Sequence, residues 1–219
     1  MGNKLKDKTA IITGASAGIG WASALALAEE GANLVMTARR KDRLEALEIL
    51  IKERGGKAVS VIGDARAEDG NYKNLIDTSA EDYDEMMDTN MRSTFLFSRY
   101  AVPVMIEQGS GTILMISSVA GLYGFAGEAI YCATKFAQVG FAQALDNELR
   151  PHGIKVGVIC PGGVKTEFAL GKGRTEEGVA QSGMLEPDDV AGAVLLACTQ
   201  SLSSRIVEVR MRPMDEPLF

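Results

Sequence analysis

The stretch Thr9-Ala10-Ile11-Ile12-Thr13-Gly14-Ala15-Ser16-Ala17-Gly18-Ile19-Gly20 decides the fold. Its first five residues read as a short apolar strand. A glycine-rich turn follows, and the run from Trp21 to Ala28 reads as a helix that stops at Gly31. Strand, glycine turn and helix together make a phosphate cradle. The glycines let the backbone and the helix N-terminus approach a pyrophosphate, and the helix dipole favours the anion. The spacing is G-x-x-x-G-x-G, and taken alone it is weak evidence, because tight turns use glycine for many reasons.

Working outward, Asn33 to Ala38 is near-continuously apolar, as a buried parallel strand should be. Its end carries specificity. An acid about twenty residues past the glycines would bind the ribose 2′-hydroxyl of NAD, whereas an arginine accommodates the 2′-phosphate of NADP. Ala38 stands near that place and is followed by Arg39 and Arg40. The sequence therefore favours NADP(H), with Arg39 the first choice of clamp. The plainer alternative is a solvated basic turn before a helix from Lys41 to Arg54.

A second constellation lies between Ser118 and Lys135. Ser118 follows the apolar run Thr112 to Ile116, at the C-terminal end of a strand, where open α/β sheets hold their ligands. Tyr131 and Lys135 are four apart, so on a helix starting at Ala129 they share a face one turn apart. A nearby cation favours phenolate over phenol, which suits a tyrosine to general acid–base work near neutral pH. Y-x-x-x-K also arises by chance on any helix.

Taken together these motifs resemble the short-chain dehydrogenase/reductase family. There a serine precedes the tyrosine by this interval, Y-x-x-x-K follows, and a threonine opens this form of the glycine turn. The resemblance covers Lys8 to Met211 apart from one gap. It implies a single Rossmann-type domain spanning residues 1–219, with one doubly wound parallel α/β sheet. It implies cofactor contacts from Gly14, Ser16, Ala17, Gly18, Ile19 and Gly20, and from Arg39 and Arg40. Many members carry a second basic residue where this chain has Ala17. Asp64, ending the strand Lys57 to Asp64, matches an aspartate that touches the adenine; aspartate after a strand is also ordinary turn chemistry. Pro161, Gly162, Val164 and Thr166 match a turn that contacts the nicotinamide. Asn90 matches a helix asparagine that orders a proton-relay water near the lysine. Flanked by Met87 and Met91, it needs a specific partner if it is buried. Tyr131 and Lys135 count among the cofactor contacts as well as the catalytic group.

The chain departs from the family after Asp64. A helix, a fourth strand and an N-N-A-G motif belong there, roughly 25 to 30 residues at usual element lengths. Here Ala65 to Gly70 leads straight to Asn71-Tyr72-Lys73-Asn74. The absent strand would pair with the first, so its loss splits the sheet. Two readings stay open: residues that this sequence does not carry complete the sheet, or the chain is genuinely short of them.

Thr78 to Asp82 resembles a capping box opening a long helix that continues past Asn90 to about Met105. Another helix runs from Ala129 to Arg150. Glu167 to Met184, polar and glycine-rich, reads as a lid over the substrate, with Lys165, Lys172 and Arg174 as its cations. A last helix starts at Glu186-Pro187, and Arg205 to Met211 alternates like an edge strand.

The 219 residues are 46% hydrophobic, ample for a core. The net charge of −6 argues against a nucleic-acid or anionic-membrane surface. No stretch reaches transmembrane length. Cys132, Cys160 and Cys198, odd in number and set among apolar residues, fit reduced core thiols of a cytoplasmic protein. The single histidine, His152, reads as a turn residue, and no metal-ligand cluster is present. The expected activity is hydride exchange between NADP(H) and a small carbonyl or secondary alcohol. Resemblance suggests a 3-oxoacyl thioester or a small 3-hydroxy acid, and a homotetramer built through the two long helices. The rival is a non-catalytic nucleotide-binding protein on the same fold.

Overall fold

The computed structural model describes residues 2–63, 73–171 and 174–217. Its chain divides into two compact units. The first comprises Met1–Ala65, Lys165–Glu167 and Glu186–Thr199, and the second Arg66–Val164, Phe168–Leu185 and Gln200–Phe219.

In the first unit, β1 (Thr9–Thr13), α1 (Gly18–Glu29), β2 (Asn33–Ala38), α2 (Lys41–Glu53) and β3 (Lys57–Ile62) alternate, so each pair of strands is joined by a helical crossover. The three strands form a parallel sheet in the order β1-β2-β3, with Thr13 beside Thr37 and Ala38 beside Ile62. Leu34 and Met36 of β2 are fully buried, as are Leu44, Leu47 and Ile51 on one face of α2. The opposite sheet face is open. The lateral neighbours Ile11, Val35 and Val59 lie side by side on it, and Ile11 and Val59 are 58% and 52% exposed. The expectation that β2 is a buried parallel strand holds for Leu34, Met36 and Thr37, while Val35, on the open face, is half-buried.

In the second unit the elements before the sheet are α3 (Ala80–Met87), a π-helical turn (Asp88–Arg92) and α4 (Ser93–Gln108). Ser79 and Asp82 form the expected capping box, with backbone-to-side-chain bonds of 3.1 and 3.0 Å. The helix stops at Gly109, whose φ of +62° suits a residue without Cβ. Then come β4 (Gly111–Ile116), α5 (Ala129–Leu149), β5 (Ile154–Pro161), α6 (Glu176–Gln181), α7 (Pro187–Cys198) and β6 (Glu208–Met211), of which α7 belongs to the first unit. The sheet is parallel in the order β4-β5-β6. One face of α5, with Val139, Ala142, Leu145 and Leu149, packs on Met115, Val156, Val158 and Cys160. The expected edge strand is β6, shorter at its start than the alternation suggested.

The parallel, Rossmann-type α/β fold is thus present. Its described strands lie in two three-stranded sheets rather than in one. That is the split predicted by the missing strand, because β1 and β4 are the strands it would join. The expected lid also contains a short helix, α6. Thr175 caps it by accepting from Gly178 N at 3.1 Å, and Glu176 and Glu177 place acids at its N-terminus.

Candidate active site

The first unit carries the expected anion cradle. Gly14 and Gly18 have φ of +67° and +50°, backbone that other residues adopt at a cost. Gly20 is held by crowding instead: a Cβ there would lie 2.7 Å from the Gly14 carbonyl carbon and 3.1 Å from the Ala15 Cα. Gly18 leaves room for the Thr166 methyl, which would lie 2.7 Å from a Cβ. Ala17 is the extended N-cap residue of α1 and Ile19 lies in its first turn. No side chain caps this helix and no acid sits in its first turn, so its leading N–H groups are open to an anion. Ser16 is buried in the turn and its Oγ accepts from Arg40 Nε at 3.2 Å. Arg40 and Arg43 both pair with the Glu167 carboxylate. Arg39 is exposed, with no ion pair or hydrogen bond to its side chain among the described residues. A turn with open N–H groups, followed by arginines and no acid at the end of β2, fits a phosphorylated dinucleotide. Asp64 lies outside the described residues.

The second unit carries the residues expected to do the acid–base work, Ser118, Tyr131, Lys135 and Asn90. Ser117 continues the ladder beyond β4, its N–H donating to Ile159 O at 2.8 Å. Its hydroxyl donates to Lys135 O at 3.0 Å, tying the strand end to α5. Gly121 permits this closeness, since a Cβ would come within 2.7 Å of that same carbonyl oxygen. Ser118 is half-buried. Its Oγ accepts from Ala120 N at 3.1 Å, which leaves its own proton free to donate elsewhere. Lys135 is only 5% exposed, and its ammonium donates to Ile116 O at 3.2 Å. The same ammonium lies 5.6 Å from the centroid of the half-buried Tyr131 ring. The Phe168 ring packs against that of Tyr131, their centroids 5.9 Å apart.

Asn90 is buried and has the partner its position demanded. Its Nδ2 donates to Thr134 Oγ1 at 3.0 Å, and the Thr134 hydroxyl donates to Tyr131 O at 2.8 Å. Asn90 sits in the π-helical turn, where the usual ladder is interrupted. Its carbonyl accepts from Gln138 Nε2 at 3.0 Å and from Thr94 Oγ1 at 2.6 Å. The buried Gln138 Oε1 has no partner among the described residues, which suits a bound water. Sequence reasoning missed Thr134 and Gln138. The signal was their spacing from Tyr131 on α5, which puts Lys135 and Gln138 on one helix face.

Of the turn after β5, Gly162 N donates to Met211 O at 2.7 Å, Pro161 ends the strand, and Val164 is buried and bridged to Leu185. These three belong to the second unit and Thr166 to the first. Of the lid cations, Lys165 pairs with Glu186 at 2.6 Å, Arg174 stacks on Phe168 at 5.6 Å, and Lys172 lies outside the described residues. Burial holds the Cys160 and Cys198 thiols up at about 11, as inert core cysteines should be. His152 ends a short turn. Among the described residues no group of His, Cys, Asp or Glu could hold a metal ion, and no helix is long and apolar enough to cross a membrane.

Glu128, at the N-cap of α5, has its carboxyl raised by burial, an effect partly offset by Arg174. A carboxyl raised in the folded state favours folding while protonated and costs stability once ionised. Glu128→Gln should therefore raise Tm at about pH 7 and leave it unchanged at about pH 4, near the unfolded value. Thermal melts at the two pH values check this; an equal shift at both would contradict it.

An α/β fold with a glycine-turn anion cradle and a Ser-Tyr-Lys-Asn set defines a dinucleotide-dependent class of protein. The family model for short chain dehydrogenase matches residues 8–77 and 70–177, and this chain belongs to that family. An uncharacterized oxidoreductase of Staphylococcus aureus is 33% identical over 233 residues, covering 96% of this chain and 99% of that protein. An alignment longer than the 219-residue chain means that the relative has residues opposite gaps in it. The family match falls into two segments that meet at residues 70–77, where the gap in the sequence was expected. A metagenomic short-chain oxidoreductase in complex with NADP superposes with TM-score 0.82 at 30% identity, covering 97% of this chain and all of that one. A serine dehydrogenase complexed with NADP+ gives 0.88 at 26% identity, covering 95% and 96%.

Proposed function

We propose that this chain is an NADP(H)-dependent oxidoreductase that interconverts a carbonyl and a secondary alcohol. The observation that carries the reading is the buried Lys135 ammonium beside the Tyr131 ring, joined through α5 to Asn90 and through Ser117 to the end of β4. The nicotinamide, when bound, supplies or accepts the hydride. Tyr131 gives a proton to the substrate oxygen in reduction and takes it back in oxidation. Lys135 stabilises negative charge developing on the tyrosine oxygen and would hydrogen-bond the nicotinamide ribose. Ser118 donates to the substrate oxygen. Asn90 and Gln138 order the water that returns the proton. Gly14, Ser16, Ala17, Gly18, Ile19 and Gly20 would hold the pyrophosphate, and Arg39 and Arg40 would meet the 2′-phosphate. By resemblance, Pro161, Gly162, Val164 and Thr166 would contact the nicotinamide and Asp64 the adenine.

The substrate reading is a 3-oxoacyl thioester or a small 3-hydroxy acid. Assaying NADPH oxidation with 3-oxoacyl thioesters, and NADP+ reduction with small 3-hydroxy acids, separates the two, and turnover of neither defeats both. We read the protein as cytoplasmic and as a homotetramer joined through α4 and α5. The exposed Phe95, Phe97, Tyr100 and Val104 of α4 and Phe136 of α5 support that assembly. The division into two sheets favours a second reading, a nucleotide-binding protein without catalysis. NADPH binding with no turnover on a broad carbonyl panel would establish it.

A further inference from the structure

We propose that Glu167 is a resident counter-anion of the nucleotide site, which holds Arg40 and Arg43 until a nucleotide 2′-phosphate takes its place and thereby sets the preference between NADP(H) and NAD(H). The inference rests on the cofactor reading above. Arg40 touches the glycine turn directly, because its Nε donates to the buried Ser16 Oγ at 3.2 Å. The other end of the same guanidinium donates to one Glu167 oxygen, and Arg43, three residues further on, donates to the other. One carboxylate therefore bridges two arginines at the anion cradle. These two cations hold its carboxyl below the usual carboxylate range, so it is ionised wherever the protein is folded at neutral pH. Its backbone is fixed by its neighbour, since Thr166 fits against Gly18 only because that residue has no side chain.

The consequence for a phosphorylated nucleotide is a contest. Arg39 is exposed and unengaged among the described residues, and can meet a 2′-phosphate at once. Arg40 and Arg43 can meet it only if Glu167 lets go, because two anions sharing one guanidinium repel each other. NAD(H) has a hydroxyl at this position and does not enter the contest. Glu167 therefore lowers the affinity for NADP(H) below what three arginines would give, and leaves NAD(H) untouched.

Isothermal titration with NADP+ and NAD+ tests this without turnover. Glu167→Gln should tighten NADP+ about fivefold, the scale of a partly exposed ion pair, and leave NAD+ within about twofold. The NAD+ affinity also reports that the variant is folded. Arg43→Gln should cost NADP+ little in the wild-type background and several-fold in the Glu167→Gln background, where the arginine is free to bind. An unchanged ratio of the two affinities, or a weaker NADP+, would overturn the inference while leaving the cofactor reading intact. A wild-type protein that binds neither dinucleotide would overturn the cofactor reading itself, and this inference with it.

Discussion

The Tyr131→Phe protein turns over at least about 10³-fold more slowly than the wild type, the loss expected when a positioned general acid is removed, and binds NADPH as before. Phenylalanine keeps the ring, and with it the packing against Phe168 at 5.9 Å and the Lys135 ammonium at 5.6 Å. The hydrogen bond from Thr134 goes to the backbone oxygen of residue 131 and survives the change. What disappears is one phenolic oxygen. The defect should lie in kcat, with the NADPH affinity unchanged by titration. Near-normal turnover in this variant would remove the tyrosine from the reaction and with it the proposed mechanism.

Gly20→Ala should lower NADP+ affinity by about 10²-fold and destabilise the protein by roughly 1 to 3 kcal/mol, the usual cost of forcing a methyl into a packed position. The added carbon would meet the Gly14 carbonyl and the Ala15 Cα, both backbone. Neither can swing aside as a side-chain tip could, so the turn itself has to open. The N–H groups that form the cradle then move with it. Gly14→Ala is the contrasting control. Nothing lies within 4 Å of a Cβ there, and the cost is the left-handed φ of +67° alone, about 1 kcal/mol. Titration calorimetry and thermal melts of the two variants check the order. Equal losses at both positions would contradict the crowding argument.

Much of this was legible in the sequence because it is local. The strand, glycine turn and helix of residues 9–29 follow from apolar runs and glycine spacing, and the Ser79–Asp82 box from capping chemistry. The splitting of the sheet was legible too, because the pairing rule for the first strand says what its missing neighbour would do. That Asn90 needs a partner if it is buried followed from the methionines beside it, but its burial and the identity of the partner did not. Thr134 lies 44 residues away, and only the packing of α5 against the π-helical turn brings the two together. Glu167 was hidden for the same reason, since its bond to Arg40 spans 127 residues. In the sequence it is one charge of a polar loop; in the fold it pairs with Arg40, one of the two arginines marked for a phosphate, and with Arg43. The exposed faces of β1 and β3 were unreadable for a different reason. An apolar strand announces that it can be buried on both sides, and the helices that would cover the second face are a property of the whole topology.

The most direct measurement is the transfer of deuterium from NADPH labelled at the nicotinamide C4 position into product. The protein is incubated with the labelled cofactor and a panel of 3-oxoacyl thioesters and other small carbonyl compounds, and the alcohols are weighed by mass spectrometry. The account predicts an alcohol carrying one deuterium at the carbinol carbon, formed by the wild type and not by Tyr131→Phe. Bound NADPH with no label in any alcohol would contradict it and leave a nucleotide-binding protein without catalysis.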